Sequence, residues 1–252
     1  MKNKQTKLLI LSALMLAVIS PSYADFGIVA GVGKNNGYKD LDSSTQGGIG
    51  FQYRGEKFNA APFDGMSYDF TNSNKYAVEA LLTSKNGGYK AKDSTALKGM
   101  GKKHPSIDIG GRVIMDTGYG NAVFDLTKDV NASKGVEAQL KLGGIGPHAS
   151  HWDGQREFTV TPVAGVRYQS AKVVDYYYGV KGSEATGSRK AYKAKSAITP
   201  FVGLEAQAKI TSHFSVDAGL GISKRSSSVR NSPLTSDRKY ETSANIGLTY
   251  WF

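Results

Sequence analysis

Read backwards from its last residue, the chain alternates. Phe252, Tyr250, Leu248, Ile246 and Ala244 are apolar, while Trp251, Thr249, Gly247, Asn245 and Ser243 between them are mostly small or polar. A period of two residues is that of a β-strand with one greasy face and one that tolerates water. The same phase recurs upstream over residues 214–222, 198–210 and 158–168. Shorter runs cover 136–142, 122–126, 107–115, 76–82, 66–70, 58–60, 49–53 and 26–32, which makes about twelve strands.

Length decides between the all-β architectures. Several runs hold one apolar phase for nine residues or more without a central charge. A half-buried strand of a water-soluble sandwich or lipocalin-like barrel is usually about five or six residues long. A strand tilted across a bilayer needs about 9–11, and a lysine or arginine at the midplane of its lipid face costs about 2–4 kcal/mol. The pattern therefore predicts an all-β fold, an antiparallel transmembrane β-barrel with its apolar face outward. The connections support it, because 54–57, 71–74, 116–119 and 211–213 are tight turns. The segments 35–46, 85–105, 129–135, 169–195 and 225–238 are longer and fall at the opposite end. Residues 55–70 are the irregular part, and Pro162 and Pro200 fall mid-strand, where each removes a ladder hydrogen bond.

The N-terminus supplies an address. Lys2, Lys4 and Lys7 precede an apolar run over residues 8–19, then Pro21 and the small residues before Asp25. This is the pattern of a secretory signal peptide over residues 1–24, with cleavage expected between Ala24 and Asp25. The mature barrel then spans 25–252, and loss of three lysines and no acids lowers the formal charge from +11 to +8. There is no cysteine, so no disulfide framework holds the exported chain together. Leu248, Tyr250 and Phe252 face lipid in this reading, the aromatics at the membrane–water boundary. An outward terminal phenylalanine with an aromatic two residues before it also resembles the signal read by the barrel-assembly machinery. The expected location is the outer membrane of a Gram-negative bacterium.

One segment is more specific. Tyr177, Tyr178, Gly179, Val180, Glu184, Ala185 and Tyr192 form the frame Tyr-Tyr-Gly-Val-x3-Glu-Ala-x6-Tyr ahead of an apolar strand. It resembles the MipA/OmpV family of outer-membrane proteins, the MltA-interacting proteins. Looser likenesses are Gln52-Tyr53-Arg54, Leu97-Lys98-Gly99-Met100-Gly101 and the aromatic terminus; Lys181-Gly182 and the lysine-rich loops depart from the family. The resemblance implies a barrel that acts as scaffold between a lytic transglycosylase and a peptidoglycan synthase, or as a surface interaction protein. It brings no catalytic residue. The tyrosines themselves read as structural, a loop folded back onto the barrel mouth with rings packed and hydroxyls hydrogen-bonded.

Candidate chemistry is sparse. Of four histidines, His104 lies near Ser106 and Asp108, but adjacency in a loop is not a triad. His148 and His151 have no third ligand nearby, so neither a metal nor a cofactor is expected and the chain does not read as an enzyme. A narrow channel for small solutes is the competing function. Its inward positions would carry Arg54, Arg112, Arg167, Lys141 and Lys209 against Asp69, Glu79, Asp108, Asp125, Glu137, Glu205 and Asp217, a mixed lining. Positive charge concentrates instead in the outer loops, net +5 over 85–105 and +4 over 169–195. Lipopolysaccharide phosphates are its natural counter-charge, and solvated lysine is the bland alternative; nucleic acid is not a partner for an exported barrel. On the periplasmic side, 145–155 is the long connection, and Trp152 beside His148 and His151 is the candidate partner contact, with an interfacial girdle as its other reading.

Overall fold

The structure, a computed structural model, describes residues 25–34, 38–39, 45–62, 64–71, 73, 75–117, 120–143 and 158–252. Twelve strands follow one another: Asp25–Lys34 (β1), Thr45–Arg54 (β2), Phe58–Ala61 (β3), Gly65–Asp69 (β4), Tyr76–Thr83 (β5) and Asp108–Asp116 (β6). Then come Asn121–Asp129 (β7), Val136–Gly143 (β8), Phe158–Gln169 (β9), Ala197–Lys209 (β10), Phe214–Lys224 (β11) and Tyr240–Trp251 (β12). Each pairs antiparallel with its sequence neighbours, and β12 returns to β1 with Gly27 opposite Trp251 and Lys34 opposite Ala244, closing the barrel. Two short helices, Ala171–Tyr178 (α1) and Ser227–Arg230 (α2), lie in the connections beyond the strand tops. No helix among the described residues is long and apolar enough to cross a membrane.

The alternation sets the two sides of the wall. Outward positions stay exposed although apolar, among them Ile49, Phe51, Val202, Leu204, Leu220, Ile246 and Leu248. In water so wide an apolar surface would drive aggregation; against acyl chains it costs nothing. The inward positions are the buried polar ones, including Asp69, Glu79, Asp108, Asp125, Thr127, Glu137 and Gln207. An inverted arrangement of this kind is the signature of a membrane barrel.

Tight turns and both strand termini share one end. Gly55 donates to the Phe58 carbonyl, Thr117 to that of Gly120 and Ile210 to that of Phe214, at 2.8–3.0 Å. Phe252 donates to the Phe26 carbonyl at 2.9 Å, and its ring meets those of Phe26 and Tyr250. The irregular segment resolves into a short hairpin, β3–β4, and the barrel is completed there by only two β2–β3 pairs, Tyr53 with Ala60 and Arg54 with Asn59. Both prolines fall within the β9–β10 ladder, Pro162 opposite Leu204 and Pro200 opposite Val166, with paired residues on either side of each.

Candidate functional site

The long connections do not stand out in solvent. They fold over the mouth of the barrel and make two apolar clusters of their own. Tyr89, Leu97, Met100, Val180 and Leu234 pack together with Tyr38 and Tyr192 against them. Val174, Ala194, Ala197 and Val229 form the second, joined by Tyr178 and Tyr192. Leu97 and Leu234 are wholly buried although both sit in loops.

The tyrosine–glycine–valine segment stitches these loops together. The Tyr177 hydroxyl donates to the His104 carbonyl at 3.0 Å, and the Tyr38 hydroxyl reaches the Tyr177 carbonyl at 3.4 Å. Tyr178 stacks obliquely on Tyr38, and its carbonyl accepts from Ser232 Oγ at 2.6 Å. Gly179 ends α1 where any Cβ would come 2.4 Å from the Asp175 carbonyl oxygen, so only glycine fits. Val180 and Tyr192 then exchange backbone hydrogen bonds at 2.8 and 2.9 Å, and the Tyr192 hydroxyl donates to the Ser228 carbonyl. Glu184 accepts from the Gly101 and Lys181 N–H groups at 2.8 and 3.1 Å, and Ala185 closes that turn by donating to Gly182. All seven residues of the motif thus lie in one closure, each bonded or packed to a neighbouring loop.

Its electrostatics favour order. Burial raises the Tyr177 phenol, with Asp129 adding to the effect, and pushes Tyr178 up to about 12, which favours the protonated form of both. Burial works against the charge on Glu184, but the N–H groups of Gly101 and Lys181 and the ammonium groups of Lys103 and Lys181 outweigh it. The carboxyl is held below its ordinary value.

Two loop cations behave differently from the solvated charge expected of them. Lys85 turns down into the barrel, where its ammonium lies 3.2 Å from Asp125. Lys103 is buried with its Nζ 4.9 Å from the Tyr176 ring centroid. Arg189, only 7% exposed, is the residue that sequence reasoning missed. Its guanidinium donates to the carbonyls of Ala96 and Lys98 at 2.9 Å and twice to that of Glu184, at 2.7 and 3.1 Å. The one available signal was an arginine among lysines, whose planar fork suits several carbonyls at once.

Beneath the cap lies a polar layer. Asn86 bonds Glu137, and Gln169 donates to Asn86 and Glu137 at 3.3 Å. Ser106 bonds Asp108 and receives the Lys85 and Asn86 N–H groups at 3.1 and 3.0 Å. Arg112 Nε lies 2.7 Å from Asp125, with Glu79 4.0 Å from another guanidinium nitrogen, and Lys141 pairs with Glu205 at 3.0 Å from two strands away. The expected mixing of signs inside the barrel is therefore realised as ion pairs. Within the lumen a cavity of about 710 Å³ remains, lined by Arg54, Arg112, Gln139, Lys141, Glu205 and Asp217 among others.

Leu248, Tyr250 and Phe252 point outward, and Phe252 is 67% exposed. His104 contacts Tyr176 and Tyr177 through its backbone, not its imidazole, so it makes no triad with Ser106 and Asp108. Ala24, His148, His151 and Trp152 lie outside the described residues, and Asp25 opens β1. Among the described residues no group of three His, Cys, Asp or Glu could hold a metal ion.

Comparison with known proteins agrees with this geometry. The family model for MltA-interacting protein MipA matches residues 26–252. The chain is 29% identical over 209 residues to outer membrane protein Omp26La of Vibrio anguillarum, covering 82% of this chain and 78% of that one. It is 28% identical to outer membrane protein OmpV of Vibrio cholerae with the same coverage. It is 25% identical to the MltA-interacting protein of Escherichia coli K12 across 98% of each chain.

Proposed function

Since the chain belongs to the MltA-interacting protein MipA family, an outer-membrane β-barrel family, we propose that it is a capped anchor for periplasmic peptidoglycan-remodelling enzymes rather than an open pore. The observation that carries this reading is the cap. The motif that marks the family in the sequence is spent on tying loops over the mouth, as in Tyr177 to His104 and Val180 to Tyr192. A porin leaves that route clear. The ion pairs Arg112–Asp125 and Lys141–Glu205 narrow the lumen further.

A partner on the periplasmic side is consistent with the Escherichia coli relative being an MltA-interacting protein, which suggests a lytic transglycosylase; a peptidoglycan synthase is the second candidate. The tight turns at that end leave 145–155 as the surface, with Trp152, His148 and His151 as its contact. Truncating an anchoring tryptophan costs about 2 kcal/mol, or roughly thirtyfold in affinity. Immobilised Trp152→Ala should therefore capture a lytic transglycosylase about thirtyfold more weakly than the parent, at equal barrel level. Capture unchanged by the substitution moves the contact away from Trp152; no capture by the parent removes the scaffold reading. The cavity of about 710 Å³ favours a second reading, a narrow channel for small solutes, which conductance separates from the first. The lysines that remain exposed on the cap suit lipopolysaccharide phosphates.

A further inference from the structure

The lumen cavity is kept open by residues without side chains. Gly31 and Gly33 of β1 and Gly247 of β12 belong to the inward phase and line it, with Gly31 opposite Gly247 in the ladder. A Cβ added at Gly33 would meet nothing nearer than 3.6 Å, and one at Gly247 nothing nearer than 3.9 Å. Neither glycine has a left-handed backbone. The wall itself therefore does not require glycine at 33 or 247, and what the bare positions preserve is space.

The charges around that space do not all find one another. Arg112 pairs with Asp125 and Lys141 with Glu205, but among the described residues neither Arg54 nor Asp217 makes an ion pair. Arg54 Cζ lies 4.4 Å over the Trp251 ring. Gln52, with its amide oxygen turned to the guanidinium, accepts from Nε and Nη2 at 3.2 and 3.1 Å, which leaves the Nη1 side of the fork open. Asp217 accepts from Gln207 Nε2 at 2.7 Å through Oδ1, which leaves Oδ2. On the side away from Gln207 the ladder sets Asp217 opposite Gly247, so a bare strip runs from the carboxylate to Gly31. Asp217 is the carboxylate whose charge bears most on Arg54, and Arg54 the cation whose charge bears on Asp217. Trp251 beneath Arg54 and Gly247 beside Asp217 are four residues apart on one face of β12, about 13 Å along the strand. The two groups thus face one space from its two ends.

We propose that the cavity is a binding site for a small zwitterion, a free amino acid or short peptide, whose carboxylate meets Arg54 and whose ammonium meets Asp217. Both contacts are charge-assisted and use groups that folding leaves unspent. A cavity of about 710 Å³ is of the size that encloses one small ligand. Its lining carries the cations Lys34, Arg54, Arg112 and Lys141 and the carboxylates Asp64, Asp125, Glu205 and Asp217. A ligand with net charge would leave that balance uncompensated, whereas a zwitterion keeps it. Arg54 is the last residue of β2, just above the tight turn that Gly55 closes onto Phe58, so the site is reached from the periplasmic end while the cap covers the other. It does not depend on which enzyme docks outside.

Isothermal titration calorimetry on the full protein in detergent micelles tests the site, with alanyl-alanine as the probe. The free dipeptide should bind, and its N-acetyl and C-amide forms should each bind at least about tenfold more weakly, having lost one charged contact. In Arg54→Gln the free dipeptide and its amide should bind alike; in Asp217→Asn the free dipeptide and its N-acetyl form should. Gly247→Leu fills the bare strip and should abolish binding while the barrel remains heat-modifiable. No binding of the dipeptide at millimolar concentration, or equal binding of free and blocked forms by the parent, would overturn the site. So would Arg54→Gln and Asp217→Asn variants that discriminate as the parent does.

Discussion

Replacing Arg189 by alanine should open the cap and leave the barrel standing. The guanidinium makes four hydrogen bonds to three carbonyls that lie 91–93 residues away in the chain or five residues back. Hydrogen bonds to a charged group contribute about 1.5–3 kcal/mol each, and part of that returns when water reaches the freed carbonyls. Allowing about 1 kcal/mol for each of the three acceptors gives about 3 kcal/mol, close to a hundredfold shift in the opening equilibrium. Hydrogen exchange on the protein in detergent micelles reads this directly. In Arg189→Ala the amides of Leu97, Met100 and Gly101 should exchange about a hundredfold faster, while those of β10 and β11 should not change. Arg189→Lys should recover little, because it keeps the charge and loses the fork. Less than threefold acceleration at Leu97 and Met100 would refute the role of Arg189 as the tie between the two loops.

Acid should loosen the same contact: Glu184 has a folded pKa below its unfolded one, so its contribution is present above the unfolded value and lost as pH falls through the folded one. Exchange at Gly101 should quicken below the ordinary carboxylate range, and Glu184→Gln should exchange fast at neutral pH without that dependence. At the other end, changing Tyr250 and Phe252 together to serine removes the ring contacts with Phe214 and Phe26 as well as the terminal aromatic. Periplasmic accumulation and degradation are expected, measured by fractionation, and normal outer-membrane levels would count against the terminus as an assembly signal. The mature parent should begin at Asp25, which intact-mass measurement checks.

Where the chain meets lipid, its sequence is explicit. Alternation of two located all twelve strands and their phase, because a bilayer penalises every outward polar residue and so writes its own boundary into the pattern. The inward charges Arg112, Asp125, Lys141 and Glu205 were legible for the same reason; Arg112 and Asp125 pair across adjacent strands, whereas Lys141 finds Glu205 two strands away, beyond any local pattern. The cap was legible only at its tyrosines. The connection 225–238 was marked only by its length, yet Ser228 and Ser232 use their hydroxyls on the backbones of Lys195 and Tyr178, and Leu234 is sealed beneath. Lys85 looked like one more surface lysine until its partner, 40 residues on, was in place. The inward lean of the β3–β4 hairpin depends on Gly50 meeting Pro62 in space, which no local pattern records.

Single-channel recording on the refolded protein in a planar bilayer tests most directly whether the mouth is sealed. With the cap stitched by Tyr177, Val180, Glu184 and Arg189 and the lumen crossed by ion pairs, the parent should show little steady conductance and no strong anion selectivity. Arg189→Ala should add openings that the parent lacks. Large, stable, anion-selective steps from the parent itself would contradict the sealed mouth and make the protein a channel.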